Sequence, residues 1–487
     1  MASLEEIRRE RVRKDEALRS AGIHPYPVRA LRTHTLLEAG ALFKKIGKKK
    51  VCLAGRVMAI RGQGGLSFFD IFDGTGSFQG ALKQGETEKE SLDNFLKFTD
   101  IGDFIEAEGS LFLTKKGQKT ILVKNFRMLA KSLRPLPDKW HGLENTEERF
   151  RRRYLDLISS PEVRERFIAR AKIIASIRKN LEKSGFLEVE TPMLQTLPGG
   201  AVAVPFKTHH NALDMDLYLR IAPELYLKEL LVGGFTKVYE LNRNFRNEGI
   251  DVTHNPEFTM LEFYEAYSDA DKIRAFVEKL VRSVGKEMHR SGKFEFDGAV
   301  IDISKKFSVV SYFELLKRHA LIPHPERLNK DEYALHAKRL GIDISPNEAT
   351  EKIMDAIYKK TCRPKLIQPT FIVDYPVHAS PFAKKKEGSE TIIDRFQLVI
   401  GGLEIVNAFS ELNDPLDQRA RYEEQERRKK AGDKEISPSD ENYLEAMEYG
   451  MPPAAGVGIG IDRLTMLLTN VKNIREVILF PTLRPKT

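Results

Sequence analysis

The chain has 487 residues, too many for one ordinary hydrophobic core, so two or more domains are expected, and an apolar content of 41% lets each fold. Lys and Arg outnumber Asp and Glu by 79 to 70, a net charge of +9 that fits a polyanionic partner without requiring one. Two distant cysteines, Cys52 and Cys362, argue against a disulfide framework and a structural zinc site, and no apolar run approaches the roughly 20 residues that span a bilayer.

Met1 to Glu10 is charged instead of signal-like, so a soluble protein of the reducing cytoplasm, with no membrane partner, is expected. Residues 4 to about 20 carry a charged helical pattern that stops at Gly22 and Pro25-Tyr26-Pro27; a solvated arm and an RNA contact are equal readings of it. After the basic run Lys44 to Lys50, β-like segments at 51–60, 66–72, 77–82, 104–113 and 120–129 alternate with glycine-rich turns. Such closely spaced strands predict a small barrel. An OB-fold is the leading candidate, because its open face offers aromatics for stacking and cations for phosphates, although other small barrels share the pattern. Among Phe68, Phe69 and Phe72, one or two must be core.

Leu133 to Ser160 contains prolines, then dense charge, and reads as a linker. From Pro161 a long helical stretch leads into irregularly alternating strands and helices, the pattern of an α+β domain on an antiparallel sheet. Val238 to Glu248 reads as a strand, with Tyr239, Leu241 and Phe245 facing the core and Arg246 and Glu248 on the polar side. Gly249 to Pro256 is turn-rich, and Phe258 to Tyr264 reads as a second strand carrying Phe258, Glu262 and Tyr264 on one face. Paired as a hairpin, the two would set an arginine and several carboxylates together, which suits an anionic nucleotide and a cationic substrate. A solvated edge hairpin is the ordinary alternative. The apolar neighbours of Glu262 argue against it, since a partly buried carboxylate needs a cation, and a substrate can supply one.

Residues 269 to about 365 are mainly helical in pattern, as in Asp271 to His289 and Lys330 to Leu340, and look like an insertion. Asn407, Phe409 and Glu411 share a strand face by period two, whereas Glu404 has opposite parity, so joint metal binding by Glu404 and Glu411 needs a twist, a bulge or a phosphate bridge. No G-x-x-x-x-G-K-[ST] loop is present, which argues against a P-loop ATPase. Gly456, Gly458 and Gly460 lack a βαβ context and mark a strand where backbone and nucleotide approach closely. No Ser/His/Asp or Cys/His set demands covalent catalysis.

Phe186-Leu187-Glu188-Val189-Glu190-Thr191-Pro192, Phe245-Arg246-Asn247-Glu248-Gly249 with Glu262-Phe263-Tyr264, and Gly456-Val457-Gly458-Ile459-Gly460-Ile461-Asp462-Arg463-Leu464 resemble motifs 1, 2 and 3 of the class II aminoacyl-tRNA synthetases, in the form used by lysine-tRNA ligases. Arg220 to Lys228 and Gly401 to Asp414 are similar to segments of the same enzymes, in the same order. The resemblance covers nearly the whole chain. It implies an α+β architecture with a helical arm at 1–45, an OB-fold anticodon-binding barrel at 46–134, a linker at 135–160, and a class II catalytic domain at 161–487 that contains the insertion.

The resemblance further implies ATP-dependent attachment of L-lysine to the 3′ end of tRNA(Lys), through lysyl-adenylate and release of pyrophosphate, in a homodimer built through motif 1. Arg246 would bridge the lysine carboxylate and the α-phosphate, and Arg463 would hold the γ-phosphate, through bidentate guanidinium contacts. Phe258 would stack on adenine, with His254, Asn255 and Glu248 near the nucleotide. Glu404 and Glu411 would hold Mg²⁺, up to three ions per subunit. Glu262 and Tyr264 would take the lysine ammonium, with Glu224, Glu248, Gly200, Asn407, Phe409 and Glu411 around the substrate. Arg56, Phe68 and Gln79 stand where the family reads anticodon uridines.

Two residues depart from the pattern: Val204, where lysine enzymes commonly have arginine, and Phe72, where relatives often carry a polar residue. A lysyl ligase acting on a protein is a competing reading, opposed by the barrel, because such paralogues resemble only the catalytic part. A tRNA-holding module without catalysis is another, opposed by the presence of Arg246, Glu404, Glu411 and Arg463.

Overall fold

The structure, a computed structural model, describes residues 3–47, 49–63, 65–137, 143, 145–345, 348–430 and 438–486 and divides into two units, Met1–Leu143 and Glu144–Thr487. Lys48 of the basic run and residues 138–142 and 144 of the expected linker lie outside the described residues, as do the first two residues of the expected arm.

Alternation of buried and outward residues is strictest in one strand of the first unit's barrel. In β2 (Leu66–Phe72), Phe69 and Ile71 are fully buried while Phe68, Asp70 and Phe72 point outward, half-buried. With β1 (Val51–Gln63), β3 (Ser77–Lys83), β4 (Phe104–Leu113) and β5 (Lys119–Ala130), it closes in the order β1-β2-β3-β5-β4. Gly80 makes room for the core ring, since a Cβ there would lie 2.1 Å from Phe69. Helix α1 (Leu4–Ser20) starts on a capping box of Ser3 and Glu6. It is not a free arm: Leu18 joins the barrel core, and Arg11 donates to the carbonyls of Ile101, Ser132 and Arg134.

The second unit is organised by an eight-stranded sheet of β6 (Leu187–Glu188), β7 (Lys237–Phe245), β8 (Glu257–Ala266), β9 (Ser308–Ser311), β10 (Thr370–Val373), β11 (Arg395–Ile400), β12 (Leu403–Ser410) and β13 (Ala454–Gly460). Their order is β9-β10-β11-β12-β13-β8-β7-β6. The inner pairs are antiparallel and the two edge pairs are parallel. Helix α2 (Pro161–Lys183) covers one face, and helix α3 (Glu224–Val232) packs Leu227 and Leu231 against Val238 and Tyr264 on the other. Helices α4 (Ala270–Met288) and α5 (Ile461–Leu468) complete the first layer, with Tyr239, Leu261, Phe263, Val406 and Val457 inside it.

The expected hairpin forms, with Phe245 opposite Glu257 and Glu240 opposite Glu262. Its polar face is not solvated: Glu240, Asn242, Asn244 and Glu262 are all buried. Strand β7 ends at Phe245, short of the expected Glu248, because the Asn247 N–H leaves the hairpin to bond the Val204 carbonyl. The helical segment after residue 269 is woven into the sheet instead of standing apart. Ile273, Val277, Leu280 and Val284 line one stripe of α4 and enter the main core, β9 is an edge strand of the sheet, and Lys293–Phe296 pairs with Ala299–Asp302 as a further hairpin. In the stretch read as a linker, Thr146–Arg151 and Arg153–Ser159 are helical, and the fully buried Arg153 pairs with Asp156 at 2.6 Å. Cys52 and Cys362 are free and buried. No helix among the described residues is long and apolar enough to cross a membrane.

Candidate active site

Two adjoining cavities open on the polar face of the sheet. The first, of about 330 Å³, is lined by Arg246, Glu248, His254, Asn255, Phe258, Glu404 and Arg463. Hairpin β7-β8 and its loop supply the first five. The Arg246 guanidinium sits 5.0 Å from the centre of the Phe258 ring. Among the described residues its Nε is buried without a partner, and its one side-chain hydrogen bond, to the Ile221 carbonyl, is 3.5 Å long, so the side chain is oriented but unsatisfied. Burial pulls its pKa down, against the opposing pull of Glu248 and Glu262.

Arg463, in the first turn of α5, donates to the carbonyls of Glu404 (3.2 Å) and Thr253 (3.5 Å) and to His254 Nε2 (2.9 Å). An arginine can only donate, so His254 accepts at Nε2, and its Nδ1–H donates to Asp251 at 2.9 Å. Asn255 anchors the loop by donating to the Glu257 carbonyl. Glu404 reaches the cavity through a β-bulge: Val399 pairs with Glu404 but Leu398 pairs with Val406, so Ile405 is the extra residue and Glu404 turns toward the same cavity as Asn407. The parity conflict in the sequence is resolved by this bulge. Lys359 and Arg363 also line the cavity, from a π-turn over Tyr358–Cys362 and a 3-10 turn over Arg363–Lys365. Sequence reasoning missed both, and the basic run at 359–365 was the only signal.

The second cavity, of about 240 Å³, is lined by Gly200, Glu224, Glu262, Tyr264, Asn407 and Phe409, and shares Arg246 and Asn407 with the first. Gly200 is required there: its φ is +82°, and a Cβ would lie 2.7 Å from that of Glu224. Tyr264 donates its hydroxyl to Glu262 at 3.0 Å. Among the described residues Glu262 forms no salt bridge, and burial, then the neighbouring Glu224, pushes its pKa up to about 8 against the pull of Arg246. Arg395, unforeseen from the sequence, donates to Asn407 Oδ1 at 2.9 Å and fixes that amide. Val204, which departs from the pattern, lines neither cavity, and its carbonyl accepts from the Asn247 N–H.

Residues 145–484 match the family described as tRNA synthetases class II (D, K and N), and residues 51–129 match the OB-fold nucleic acid binding domain. The chain belongs to the class II tRNA synthetases. A lysine–tRNA ligase of Pelotomaculum thermopropionicum is 50% identical over 99% of this chain and 96% of its own length. Those of Carboxydothermus hydrogenoformans (47%, covering 99% of each chain) and Burkholderia multivorans (46%, covering 98% of this chain and 96% of the relative) are similar over the same extent.

For a class II synthetase the donor set of this cleft can be tested against Mg²⁺. Glu248 and Glu404 fit: both residues line the first cavity, and neither carboxylate is hydrogen-bonded or ion-paired among the described residues. Glu411 does not. It lines neither cavity, its carboxylate lies 2.5 Å from the buried Lys228 ammonium, and seven residues of extended chain put it roughly 20 Å from Glu404. The expected pair is therefore not brought together. Gly456 also has a different reason from the one expected, because a Cβ there would meet Glu411 Oε1 at 2.1 Å and the Tyr264 ring at 2.4 Å. Gly456 lines the second cavity, Gly460 the first, and Gly458 both. Gly456→Ala is expected to destabilise the synthetase by about 1–3 kcal/mol through overpacking, read as a lower denaturant midpoint.

On the barrel, Arg56 lies opposite Phe72 and Gln79 opposite Asp70, so Arg56, Phe68 and Gln79 share the outward face of β1-β2-β3. Arg56 stacks 4.2 Å from the Phe104 ring centre and donates to the Gly102 carbonyl, and Gln79 accepts from the Thr120 hydroxyl.

Proposed function

We propose that the chain activates L-lysine with ATP and transfers it to the 3′ end of tRNA(Lys). The observation that carries this reading is the pair of cavities that meet at Arg246, one rich in cations and the other closed by a carboxylate, Glu262, that forms no salt bridge among the described residues. Attack of the lysine carboxylate on the α-phosphate brings two anions together and expels pyrophosphate. Arg246 neutralises both reactants at the shared wall, and Arg463 holds the γ-phosphate. Phe258 stacks on adenine, and His254 and Asn255 set the loop around the nucleotide. Glu404 with Glu248 would hold Mg²⁺, which when bound would neutralise charge on the phosphates. Glu262 and Tyr264 take the side-chain ammonium, Glu224 the α-ammonium with a backbone contact at Gly200, and Asn407 and Phe409 form the wall. A ribose hydroxyl then attacks the adenylate carbonyl, a step that positioning drives without a protein nucleophile.

The barrel face of Arg56, Phe68 and Gln79 reads the anticodon, by stacking and hydrogen bonds to splayed bases. A homodimer through motif 1 is supported by the exposed apolar side chains Leu187, Met193, Leu194 and Leu197 along that segment. The cytoplasm, where free thiols persist and tRNA is found, is the proposed location.

Amino-acid-dependent exchange of pyrophosphate into ATP, run across all twenty amino acids, tests the reading. Exchange with lysine alone is expected; exchange with aspartate or asparagine, or none in a folded sample, overturns it. The pH dependence has a definite sign. Glu262 is faced by Glu224, Glu240, Arg246 and Tyr264 and holds its proton up to about pH 8 in the empty pocket, so below that pH lysine must displace a proton to bind. The KM for lysine is expected to fall as the pH rises from about 6 to about 8 and then to level off, as measured by initial exchange rates.

A further inference from the structure

Beneath the amino-acid cavity lies a lysine that none of these roles uses. Lys228 stands one helical turn after Glu224 on α3, and its side chain is fully buried. Its ammonium donates to Glu224 Oε1 at 2.6 Å and lies 2.5 Å from Glu411 Oε2. The remaining directions are closed by aromatic faces, with the ring centres of Phe382, Phe409 and Tyr443 at 4.8, 5.7 and 5.8 Å. Burial would lower the Lys228 pKa, but Glu224 and Glu411 outweigh it and hold the group charged.

We infer that Lys228 is a positioning residue that sets the net charge of the amino-acid pocket, so that a substrate with two ammonium groups completes it. This rests on the lysine reading above. Around Lys228 the carboxylates of Glu224, Glu262 and Glu411, once ionised in the complex, outnumber the ammonium by two, while Arg246 and Arg395, the latter bonded to Asn407 and the Ala379 carbonyl, also line the cavity. The substrate carboxylate is matched by Arg246, which leaves two ammonium groups to meet that surplus. An amino acid with an uncharged side chain brings only one and leaves a buried carboxylate unpaired, which is costly. Lys228 also explains why Glu411 does not act with Glu404: its carboxylate is committed to the ion pair behind the cavity.

The test is a charge-compensation series, read as the ratio of kcat/KM for lysine to that for norleucine in pyrophosphate exchange. Glu411→Gln leaves a surplus of one negative charge, and the ratio is expected to fall by roughly 30-fold or more. Adding Lys228→Met restores the surplus of two, and the doubly substituted protein is expected to regain most of the lost ratio. A merely structural role for Lys228 predicts the opposite, since a second core substitution can only add damage; a double variant no more selective than Glu411→Gln overturns the inference. Lys228→Met alone, which leaves one carboxylate in excess, provides a second reading if Glu411→Gln does not fold. Its KM for lysine is expected to rise about 30-fold with the KM for ATP little changed, and an unchanged lysine KM also overturns the proposal. Wild-type protein run alongside separates the two levels of argument. A wild type that does not prefer lysine to norleucine removes the lysine reading and this inference together, whereas a lysine-selective wild type with an uncompensated double variant removes the inference alone.

Discussion

Arg246→Ala is expected to lower kcat for lysine-dependent pyrophosphate exchange by about 10²–10³-fold, the loss seen when a preorganised donor aimed at developing negative charge is removed. The guanidinium is the one charged group that lines both cavities. Among the described residues its Nε is buried with no partner, and the side chain's only hydrogen bond is at the limit of length. Such a cation contributes little to the empty fold and is available to both anions as they approach. Arg246→Lys is expected to recover little, because an ammonium is a point charge and cannot present two forks to two anions. Steady-state exchange with both substrates varied distinguishes a transition-state defect from weakened binding. Retention of activity within about tenfold in the alanine variant would show that another group bridges the reactants.

Glu262→Gln carries the second large effect, an expected fall in kcat/KM for lysine of about 10³-fold, within the range for removing one partner of a buried charge pair. The amide keeps the shape of the side chain, so the loss isolates charge. The same substitution is expected to make the unliganded protein more stable at pH 8. Glu262 has a folded pKa raised from 4.5 to about 8, so its favourable contribution is complete below the unfolded value and is lost as the pH rises through the folded one. Glutamine has no such loss. Thermal denaturation at pH 6 and pH 8 should therefore show a wild-type decline that the variant lacks for this group, and its lysine KM should no longer improve with pH. A variant that is less active and no more stable at the higher pH would mean that Glu262 is not the buried, uncompensated carboxylate of this pocket.

Local pattern made much of this molecule legible in the sequence. Strand β2 alternates cleanly because one face meets a core and the other meets water, and short β-like segments between glycine-rich turns made the other barrel strands readable, as was helix α1 between its capping serine and Gly22. The β7-β8 hairpin was readable for the same reason, and motif residues that touch a nucleotide are held to fixed spacings by the chemistry they serve. Strand ends were harder to read. Strand β7 stops before Arg246 because Asn247 bonds Val204, a partner more than 40 residues away, which no periodicity announces.

Sequence by itself determined the barrel, the hairpin, the family and the presence of an arginine and a carboxylate for a charged substrate, because these depend on period, spacing and residue type. Tertiary structure decided which charges meet. Glu404 needed a bulge at Ile405 to face the nucleotide cavity, Glu411 was drawn to Lys228 instead of to Glu404, and Lys359, Arg363 and Arg395 came to the cavities from distant segments. Ion pairing acts through space over a few ångströms, and the chain brings such partners together only by folding.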